Sequence, residues 1–424
     1  MDKISIKSLV NGLLKFKGAG EESTLLGIGP MSLHVLKASF ELAKEKDFPL
    51  LFIASRNQVD ADELGGGYVC GWNQKDFVSA IRKTAKEIGF NGLYYVCRDH
   101  GGPWQRDNER NEHLNETTAM DLAKKSYLED MLNGFDLLHI DPTKDPYEIG
   151  KVIPLEVVLS RTVELIEYCE QERIKHNINE IGYEVGTEET NGGLTSPEKF
   201  ENFIERLKSE LEKRNLPMPV FIVGQTGTLV RKTENVGTFN FDNAKRLAQI
   251  ARKYGVGLKE HNGDYLEDDV LLEHIPAKIT ATNVAPEFGT EETRAYIILS
   301  NVEEKLKEEG LISETSNVRN ELLVHAIKSE RWKKWMLNEQ GKMTNDEILK
   351  NKDLSEEILD IAGHYTFNDD NVKCEVNKMM NNLKENGIDG ERFVINRIKR
   401  SINKYIDDFN LNGLTSRIKK LVNI

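Results

Sequence analysis

Short apolar runs alternate with longer amphipathic stretches through the first three quarters of the chain. Eight of these runs are mostly uninterrupted by polar residues until their last few positions, which is typical of strands buried on both faces of a parallel sheet. The predicted strands cover residues 25–30, 49–55, 94–100, 135–141, 181–186, 219–227, 257–264 and 278–286.

The stretches between the runs have the periodicity and start signals of helices. Pro197 suits a first helical position, and Thr195 with Glu198 predicts a capping box. Apolar residues then follow at helical spacing, which predicts one buried face. They are Phe200, Phe203, Ile204, Leu207 and Leu211.

Eight strands, each followed by a helical segment, predict an α/β fold in which 25–310 form a (β/α)8 TIM barrel. An open doubly wound sheet is the alternative, because one misassigned short run would change the strand count. Residues 1–24 are predicted as an N-terminal helical segment, with a helix over 8–20. Residues 311–424 are predicted as a helical extension packed on the barrel and anchored by Trp332 and Trp335.

Charge and hydropathy argue against two classes of partner. The net charge of −13 comes from mixed charges spread along helices, and without a dominant basic stripe we expect no nucleic-acid binding. No apolar stretch approaches the roughly 18 residues that a membrane span needs. The opening MDKISIKSLV also lacks a signal-peptide core.

The four cysteines are scattered and form no CxxC pair. Cys70, Cys97, Cys169 and Cys374 therefore predict neither a disulfide framework nor a cysteine-rich zinc site. This usage is typical of a reducing compartment, and we expect a cytoplasmic protein.

Polar side chains collect where the predicted strands end. Barrel active sites lie at the C-terminal ends of the strands, so residues from six or seven strands are expected to meet in one site. They are Ser55, Arg56, Asn57, Gln58, Arg98, Asp99, His100, His139, Asp141, Thr187, Glu188, Glu189, Gln225, Glu260, His261, Asp264 and Asn283.

Two of these strand ends carry a carboxylate followed by a histidine, Asp99–His100 and Glu260–His261. Two imidazoles and a carboxylate from separate strands are the ligands that an open catalytic site uses for a divalent cation. Single residues also have structural interpretations; Asp141, for example, suits a turn or helix cap before Pro142. Together they predict a divalent metal centre, with Zn²⁺ as the expected ion.

The same residues resemble the GatZ/KbaZ-type subunits of class II tagatose-1,6-bisphosphate aldolase, a family of aldolase-type barrels. The resemblance runs in order from about residue 14 to about residue 385. Its blocks are SRNQVD with GGGY (55–68), RDHGGP (98–103), LLHIDP (137–142), GYEVGTE (182–188) and EHNGDY (260–265).

The resemblance implies a metal-dependent barrel that acts on ketose phosphates. Members are described as a non-catalytic partner of a catalytic aldolase subunit, and related proteins as epimerases at C4 of ketohexoses, their 6-phosphates or ketohexuronates. It implies that His100 and His261 are metal ligands and that Asp99 is an acid/base. Glu188 and Asp264 lie in two further matching blocks.

Retro-aldol chemistry links the cleavage and epimerase activities. The C4 hydrogen of a ketohexose is not acidic, so reversible cleavage of the C3–C4 bond is the economical route to inversion. In our hypothesis, His100, His261 and Glu188 bind the metal, and Glu188 is also a catalytic candidate. Asp99 or Asp264 transfers the proton of the C4 hydroxyl. Substrate contacts are predicted for Asn57, Gln58, Arg98, His139, Asp141, Gln225 and Asn283.

The loop after the last predicted strand, APEFGTEE, departs from expectation. It carries Glu287, Glu291 and Glu292 where barrels often hold a phosphate at a helix N-terminus, although glutamates there also suit simple capping. Either a phosphate is held elsewhere or the substrate lacks one. The candidate cations are Arg56, Arg98, Arg106, Arg231 and Lys232.

Two hypotheses follow. The first is a metal-dependent enzyme that cleaves or epimerises a ketohexose or its phosphate; the alternative is a non-catalytic subunit that stabilises a separate class II aldolase chain. The expected partners are a sugar or sugar phosphate, that aldolase chain, and further copies in a homo-oligomer. A sugar kinase is disfavoured, because GIGPMS and LGGGYVCG match neither a Walker loop nor a dinucleotide fingerprint.

Overall fold

The computed structural model describes residues 4–16, 20–148, 153–187, 193–336 and 341–422. Within these residues the chain forms ten short strands. They are β1 (Leu25–Ile28), β2 (Leu50–Ala54), β3 (Tyr94–Gly101), β4 (Leu137–Ile140), β5 (Gly182–Gly186), β6 (Phe221–Val223), β7 (Val230–Arg231), β8 (Glu234–Asn235), β9 (Gly257–Glu260) and β10 (Ala281–Val284).

Eight strands close into a parallel barrel in the order β1-β2-β3-β4-β5-β6-β9-β10. The last strand pairs with the first, from Leu25 opposite Ala281 to Ile28 opposite Val284. This pairing confirms the predicted TIM barrel, and the open doubly wound sheet is wrong, because such a sheet leaves its two edge strands unpaired. β7 and β8 form a separate antiparallel hairpin.

The barrel strands are buried on both faces, as their apolar runs predict. Every residue of β1, β2, β4, β5, β6, β9 and β10 is buried, because one face points into the barrel and the other meets the helices. The last three barrel strands end earlier than predicted, at residues 223, 260 and 284. Polar groups beyond them bond to neighbouring loops; the Gln225 backbone N–H, for example, donates to Thr195 Oγ1 at 2.7 Å.

Helices surround the barrel and continue beyond it. Within the described residues they are α1 (Ile6–Leu14), α2 (Leu33–Lys46), α3 (Gln74–Ile88), α4 (Asp107–Asn111), α5 (Glu116–Asn133), α6 (Leu155–Lys175), α7 (Pro197–Lys213), α8 (Phe241–Lys253), α9 (Asp268–Ala277), α10 (Pro286–Glu308), α11 (Val318–Lys328), α12 (Asn345–Lys350), α13 (Lys352–Ala362), α14 (Asp370–Glu385), α15 (Gly390–Asp408) and α16 (Leu414–Leu421).

Helix α7 begins at Pro197, as predicted, and its whole apolar stripe is buried. The predicted capping box is wrong, because the N-cap is Ser196, whose Oγ accepts from the Lys199 N–H at 3.4 Å. Thr195 instead binds the backbone of Gln225, which ties the start of α7 to the end of β6.

The N-terminal helix α1 packs below the barrel. It begins and ends earlier than the predicted 8–20 helix. The Tyr95 hydroxyl on β3 donates to Ile4 O at 2.8 Å, and Gly182 on β5 faces Ile6 so closely that a Cβ would lie 2.6 Å from its Cγ2. This helix therefore covers the end of the barrel opposite the polar strand termini.

The chain after α10 is helical, and its helices pack onto the barrel. α15 lies against α2 and α10, and residues of α14, α15 and α16 belong to the same hydrophobic core as the strands. A second, smaller core surrounds Trp332 in a 3₁₀ turn (Arg331–Trp335). The helical part therefore shares one core with the barrel. The predicted division of the chain into three parts stays a prediction.

Two properties of the described chain bear on its environment. No helix in these residues has the length and apolar composition to cross a bilayer. The four cysteines form no disulfide within the described residues, and Cys97 and Cys169 are buried. Burial also raises the pKa of the Cys70 thiol to about 12, which keeps that thiol protonated at neutral pH.

The small core predicts a strong effect of Trp332→Ala. The indole is completely buried and its Nε1–H donates to Ile327 O at 3.0 Å, so the free energy of unfolding should fall by about 3–5 kcal/mol in denaturant titrations. In the control Lys333→Ala, which removes a surface ammonium paired with Glu330, the change should stay within about 0.5 kcal/mol. A loss below about 1 kcal/mol in Trp332→Ala would contradict this account of the small core.

Candidate active site

A cavity of about 380 Å³ opens at the C-terminal ends of the barrel strands. Loops after β2, β3, β4, β9 and β10 line it, as a barrel active site requires. Trp335 and Tyr365 also line it, so the C-terminal helical part forms one wall. Trp335 was predicted as an anchor of the extension; its place in this wall adds a second role that spacing alone does not reveal.

Two histidines face each other on the floor of this cavity. His261 Nδ1 and His100 Nε2 lie 3.1 Å apart, although the residues are 161 positions apart in the chain. The outer nitrogen of each ring is fixed by a carboxylate: His100 Nδ1 lies 2.7 Å from Asp141 Oδ2, and His261 Nε2 lies 2.7 Å from Glu184 Oε1. The two carboxylates therefore aim the other nitrogen of each ring at its partner.

Asp99 and His139 complete a cluster of four groups. Their ligand atoms and those of the two facing histidines all lie within 4.8 Å of one another. Asp99 Oδ1 is 3.6 Å from His261 Nδ1, 3.8 Å from His139 Nδ1 and 4.0 Å from His100 Nε2. The cluster is thus centred on one carboxylate oxygen surrounded by imidazole nitrogens.

The chemistry of this donor set fits a cation. Because Asp141 and Glu184 accept hydrogen bonds from the outer nitrogens, the facing nitrogens of neutral His100 and His261 both carry lone pairs. Lone pairs 3.1 Å apart repel unless a proton or metal ion lies between them. Two ligands about 2.1 Å from one tetrahedral ion stand about 3.4 Å apart, close to the separations seen here.

His139 fits such an ion less well than the other three groups. Its Nδ1 already accepts a hydrogen bond from the His100 backbone N–H at 3.1 Å. Its Nε2 is buried and has no hydrogen-bond partner among the described residues. His100, His261 and Asp99 therefore form the set of three that a catalytic metal site with one open position needs.

An irregularity in β3 brings Asp99 and His100 to the same side. Side chains of a regular strand alternate between faces, but the register of β3 with β4 shifts between Arg98 and Gly101. His100 adopts a φ of 41°, a strained value for a residue with a side chain. Gly102 follows with a φ of 127°, and a Cβ there would lie 2.5 Å from Asp141 O.

The charges of the cluster shift its pKa values in opposite directions. Burial opposes ionisation of Asp99, but His100 and His261 hold its pKa well below the usual range. Burial also opposes protonation of His100, yet Asp99 and Asp141 raise its pKa to about 9. Burial lowers the pKa of His261. Without a metal, the proton between the facing nitrogens therefore belongs to His100.

Glu184 and Lys259 form a buried ion pair below the cluster. Lys259 Nζ donates to Glu184 Oε2, while Glu184 Oε1 holds His261. Burial opposes ionisation of Glu184, but Lys259 and His139 lower its pKa to about 2. Neither residue was predicted as part of the site, although a charged residue inside an otherwise apolar run, as in GYEVG and GLKE, is the signal that reveals them.

Asn283 lies on β10, and Asp264 lies in the loop after β9. Asn283 Nδ2 donates to Asp99 Oδ1 at 3.0 Å. Asp264 Oδ1 accepts from the backbone N–H groups of Ala285 and Glu287, both at 2.9 Å, and so caps α10. Burial and then the charge of Glu287 raise the pKa of Asp264 to about 8.

The other predicted site residues fall into two groups. Asn57, Gln58, His139 and Asp141 line the cavity, whereas Arg98 and Gln225 do not. Arg98 is buried and binds Asp130, Ala54 O and Val59 O. Glu260 turns outward to His274 at 2.9 Å, so only His261 of that predicted pair reaches the cluster. Glu188 and Glu189 lie outside the described residues.

The residues considered above for a phosphate site are the glutamates after β10 and five candidate cations. Glu287 and Glu292 are buried and bonded within the protein, and Glu291 pairs with Arg294 and Arg397. The N-terminus of α10 is already occupied by the Asp264 carboxylate. None of the five candidate cations lines the cavity. They are Arg56, Arg98, Arg106, Arg231 and Lys232.

The chain matches, over residues 10–408, the family described as D-tagatose-1,6-bisphosphate aldolase subunit GatZ/KbaZ-like, and it belongs to that family. The resemblance seen in the sequence is thereby confirmed. Membership places the chain among carbohydrate-related proteins of the aldolase type.

Two solved structures show the same fold. A probable tagatose 6 phosphate kinase from Sinorhizobium meliloti 1021 has a TM-score of 0.73 and 18% identity, covering 91% of this chain and 100% of that one. The fructuronate-tagaturonate epimerase UxaE from Cohnella laeviribosi, complexed with two glycerols, has a TM-score of 0.55 and 14% identity, covering 94% and 84%.

The raised pKa of Asp264 predicts a pH-dependent loss of stability. Because the native pKa of about 8 exceeds the unfolded value of 3.8, this group's stabilisation is complete below about pH 4 and is lost as the pH rises through 8. Asp264→Asn keeps an oxygen for both backbone N–H groups and removes the titration. Between pH 5 and pH 9, the unfolding free energy of this variant relative to wild type should rise by more than about 1.4 kcal/mol.

Denaturant titrations of metal-free protein at several pH values measure this difference. Asp242→Asn, on the exposed first turn of α8, is the matched control and should follow wild type throughout. A constant difference between Asp264→Asn and wild type would contradict the prediction.

Proposed function

We propose that this GatZ/KbaZ-like chain is a metal-dependent enzyme that breaks or remakes the C3–C4 bond of a ketohexose or ketohexose phosphate. One observation carries the proposal: the facing nitrogens of His100 and His261, 3.1 Å apart and each aimed by a buried carboxylate, at the floor of a strand-end cavity. A structural role alone does not require two lone pairs to be held so close.

The residues present fit a divalent ion such as Zn²⁺. His100, His261 and Asp99 would hold it, with His139 beside them; Glu188, the ligand proposed from the resemblance, lies outside the described residues. When bound, the ion would supply a Lewis acid for the oxygens at C2 and C3, where negative charge develops during C3–C4 cleavage.

Asp264 is our candidate for moving the proton of the C4 hydroxyl. Its carboxyl lines the cavity, and a pKa of about 8 suits a group that both takes and returns a proton near neutral pH. Asp99 was the other candidate, but its place among three imidazole nitrogens favours contact with the ion. Removing the hydroxyl proton would start cleavage, and returning it would complete bond formation.

Cleavage and epimerisation share these steps and differ in the fate of the aldehyde. If the aldehyde leaves the cavity, the net reaction is that of an aldolase. If it rotates and is recaptured on its other face, C4 is inverted. Trp335 and Tyr365 form part of the cavity wall, and such a wall favours retention of a small aldehyde.

A second candidate function is that of a supporting subunit for a separate class II aldolase chain. The description of the family as a subunit favours it. The cluster would then be a structural or inherited metal site. A phosphoryl-transfer role is not proposed, because the N-terminus of α2 that follows β1 is occupied by Ser32 bonded to the buried Glu292, which would repel a nucleotide phosphate.

The first test uses protein purified alone. Metal content is measured by elemental analysis, and the protein is incubated with fructose 6-phosphate, tagatose 6-phosphate, tagatose 1,6-bisphosphate and the free ketoses, with and without chelator. We expect stoichiometric metal and chelator-sensitive C4 inversion or triose release. His100→Ala and His261→Ala should lose both, because each removes a ring that faces the ion.

His176→Ala is the matched control, because that imidazole lies at the exposed end of α6 and pairs with Glu172. It should keep both metal and activity. Wild-type protein with neither metal nor turnover would overturn the enzyme proposal, and a gain of activity in an added catalytic aldolase chain would then establish the supporting subunit.

The carboxylates behind the histidines predict a change in metal affinity. Asp141→Asn weakens the hydrogen bond to His100 Nδ1 and should reduce metal affinity about 10–100-fold. Competition with a chromophoric chelator measures this affinity. Asp145→Asn is the control on the same loop, because Asp145 binds Arg161 at 2.9 Å instead. Equal affinities in the two variants would contradict a role for Asp141 in orienting the ligand.

A further inference from the structure

Asp264 and Glu287 exchange hydrogen bonds between the loop after β9 and the first turn of α10. The Glu287 backbone N–H donates to Asp264 Oδ1 at 2.9 Å, and the Tyr265 backbone N–H donates to Glu287 Oε2 at 2.6 Å. The two acidic residues are only 4% and 8% exposed. They therefore form a buried pair of like groups beside the cavity.

Helix α15 supplies two further hydrogen-bond donors to Glu287. Ser401 Oγ donates to Glu287 Oε1 at 2.7 Å, and the Tyr405 hydroxyl donates to Glu287 Oε2. Positions 401 and 405 are four apart and so share one face of the helix. Burial and the charges of Glu287 and Asp264 raise the pKa of the Tyr405 phenol well above its usual range, which keeps it a donor. Glu287 thus accepts three hydrogen bonds, as an ionised carboxylate does.

Asp264 is the member of the pair that meets the cavity. Asp264 lines the cavity, whereas Glu287 lies behind it and does not. Two buried carboxylates side by side disfavour ionisation of both, so one of them keeps a proton. Burial and then Glu287 raise the pKa of Asp264 to about 8, although backbone N–H groups oppose this rise. The proton of the pair therefore belongs to the group that faces the cavity.

Other titratable groups also pack around Asp264, but they are bound elsewhere. On α15, Lys404 Nζ lies 3.5 Å from Asp268 Oδ1, and on α10, Arg294 pairs with Asp360. On the cavity side, His261 is held within the histidine cluster. The tyrosines nearby are Tyr265 and Tyr405. Glu287 is thus the carboxylate that bears directly on Asp264.

We propose that Glu287, fixed by Ser401 and Tyr405 of α15, is a positioning residue that keeps the transferable proton on Asp264. Its charge makes loss of that proton unfavourable, and its hydrogen bond to the Tyr265 backbone fixes the loop that carries Asp264. The C-terminal helical part then supports proton transfer without touching the substrate through this helix face. As a role in proton transfer, this inference rests on the proposed function.

Glu287→Gln tests the charge with little change of shape. The glutamine oxygen can accept from the Tyr265 N–H and the Tyr405 hydroxyl, and its amide group can donate to Ser401 Oγ. Without the negative charge, the pKa of Asp264 should fall by about one or more. Glu287→Asp keeps a charge but withdraws it by one methylene, so its effect should lie between those of wild type and Glu287→Gln.

The experiment is a thermodynamic cycle on the full chain after chelator treatment. Denaturant titrations between pH 5 and pH 9 measure how Asp264→Asn changes the free energy of unfolding in the wild-type, Glu287→Gln and Glu291→Gln backgrounds. The rise that Asp264→Asn gives across this range should shrink by about a third or more in Glu287→Gln. Glu291→Gln is the matched control, because Glu291 also joins α10 to α15, through Arg397 at 2.8 Å, and the full rise should persist there.

The pH dependence of catalysis supplies a second measurement. Cleavage needs ionised Asp264, so the acidic limb of the kcat/KM profile should move to lower pH in Glu287→Gln. It should stay in place in Glu291→Gln. A purely structural role for Glu287 would lower the rate without moving this limb.

An undiminished rise in Glu287→Gln overturns the proposal; if that variant does not fold, a wild-type rise in Glu287→Asp overturns it instead. Failure of the proposed function gives a different result. The expected cycle without turnover of any ketose upholds the influence of Glu287 on the Asp264 proton and removes the function. Ketose turnover with the same acidic limb in wild type and Glu287→Gln upholds the function and removes the role of Glu287.

Discussion

The hydrogen bonds from His100 to Asp141 and from His261 to Glu184 constrain everything else at the floor of the barrel. A carboxylate that accepts from one nitrogen of a neutral ring leaves the other nitrogen as the acceptor. With both rings fixed in this way, two lone pairs converge at 3.1 Å and the space between them selects for positive charge. The choice lies between a proton and a metal ion. The geometry of the cluster is therefore an electrostatic consequence of two carboxylates that do not themselves belong to it.

Closure of the barrel brings the ends of distant strands to one cavity, and an irregularity in β3 turns the required side chains toward it. β3 and β9 are not neighbours in the barrel, yet their C-terminal ends point to the same cavity. The shift in register after Arg98 then turns two consecutive residues inward. Arg98 itself stays outside and joins a buried network with Asp130 and Asp60, which Arg56 also enters. That network supports the loop after β2 and leaves these arginines unavailable to a ligand.

The sequence predicted the barrel because its strands are buried on both faces, and this burial shows directly as runs that are mostly apolar until their last few positions. It also located the ring of polar strand ends that includes His100, His261 and Asp264. It did not predict which polar residues turn inward: Arg98 and Glu260 stand next to Asp99 and His261, and a register shift or a single strand alternation decides between the two faces. The wall formed by Tyr365 and Trp335 depends on packing between distant segments, which no local pattern encodes.

The buried ion pair of Lys259 and Glu184 costs stability but serves to orient a side chain of the proposed site. Removing an ion pair from water costs free energy that the attraction between its charges often does not offset, and well-packed apolar residues serve a core better. The barrel nevertheless keeps this pair directly below its cluster, in β5 and β9, two strands whose residues are all buried. Besides its ion pair with Lys259, Glu184 also binds His261, and this second interaction explains why the pair is kept. Since Lys259 compensates the charge of Glu184, the carboxylate can remain ionised under the cavity and hold the ring. The destabilising element of the core is thus the element that orients a ligand at the floor.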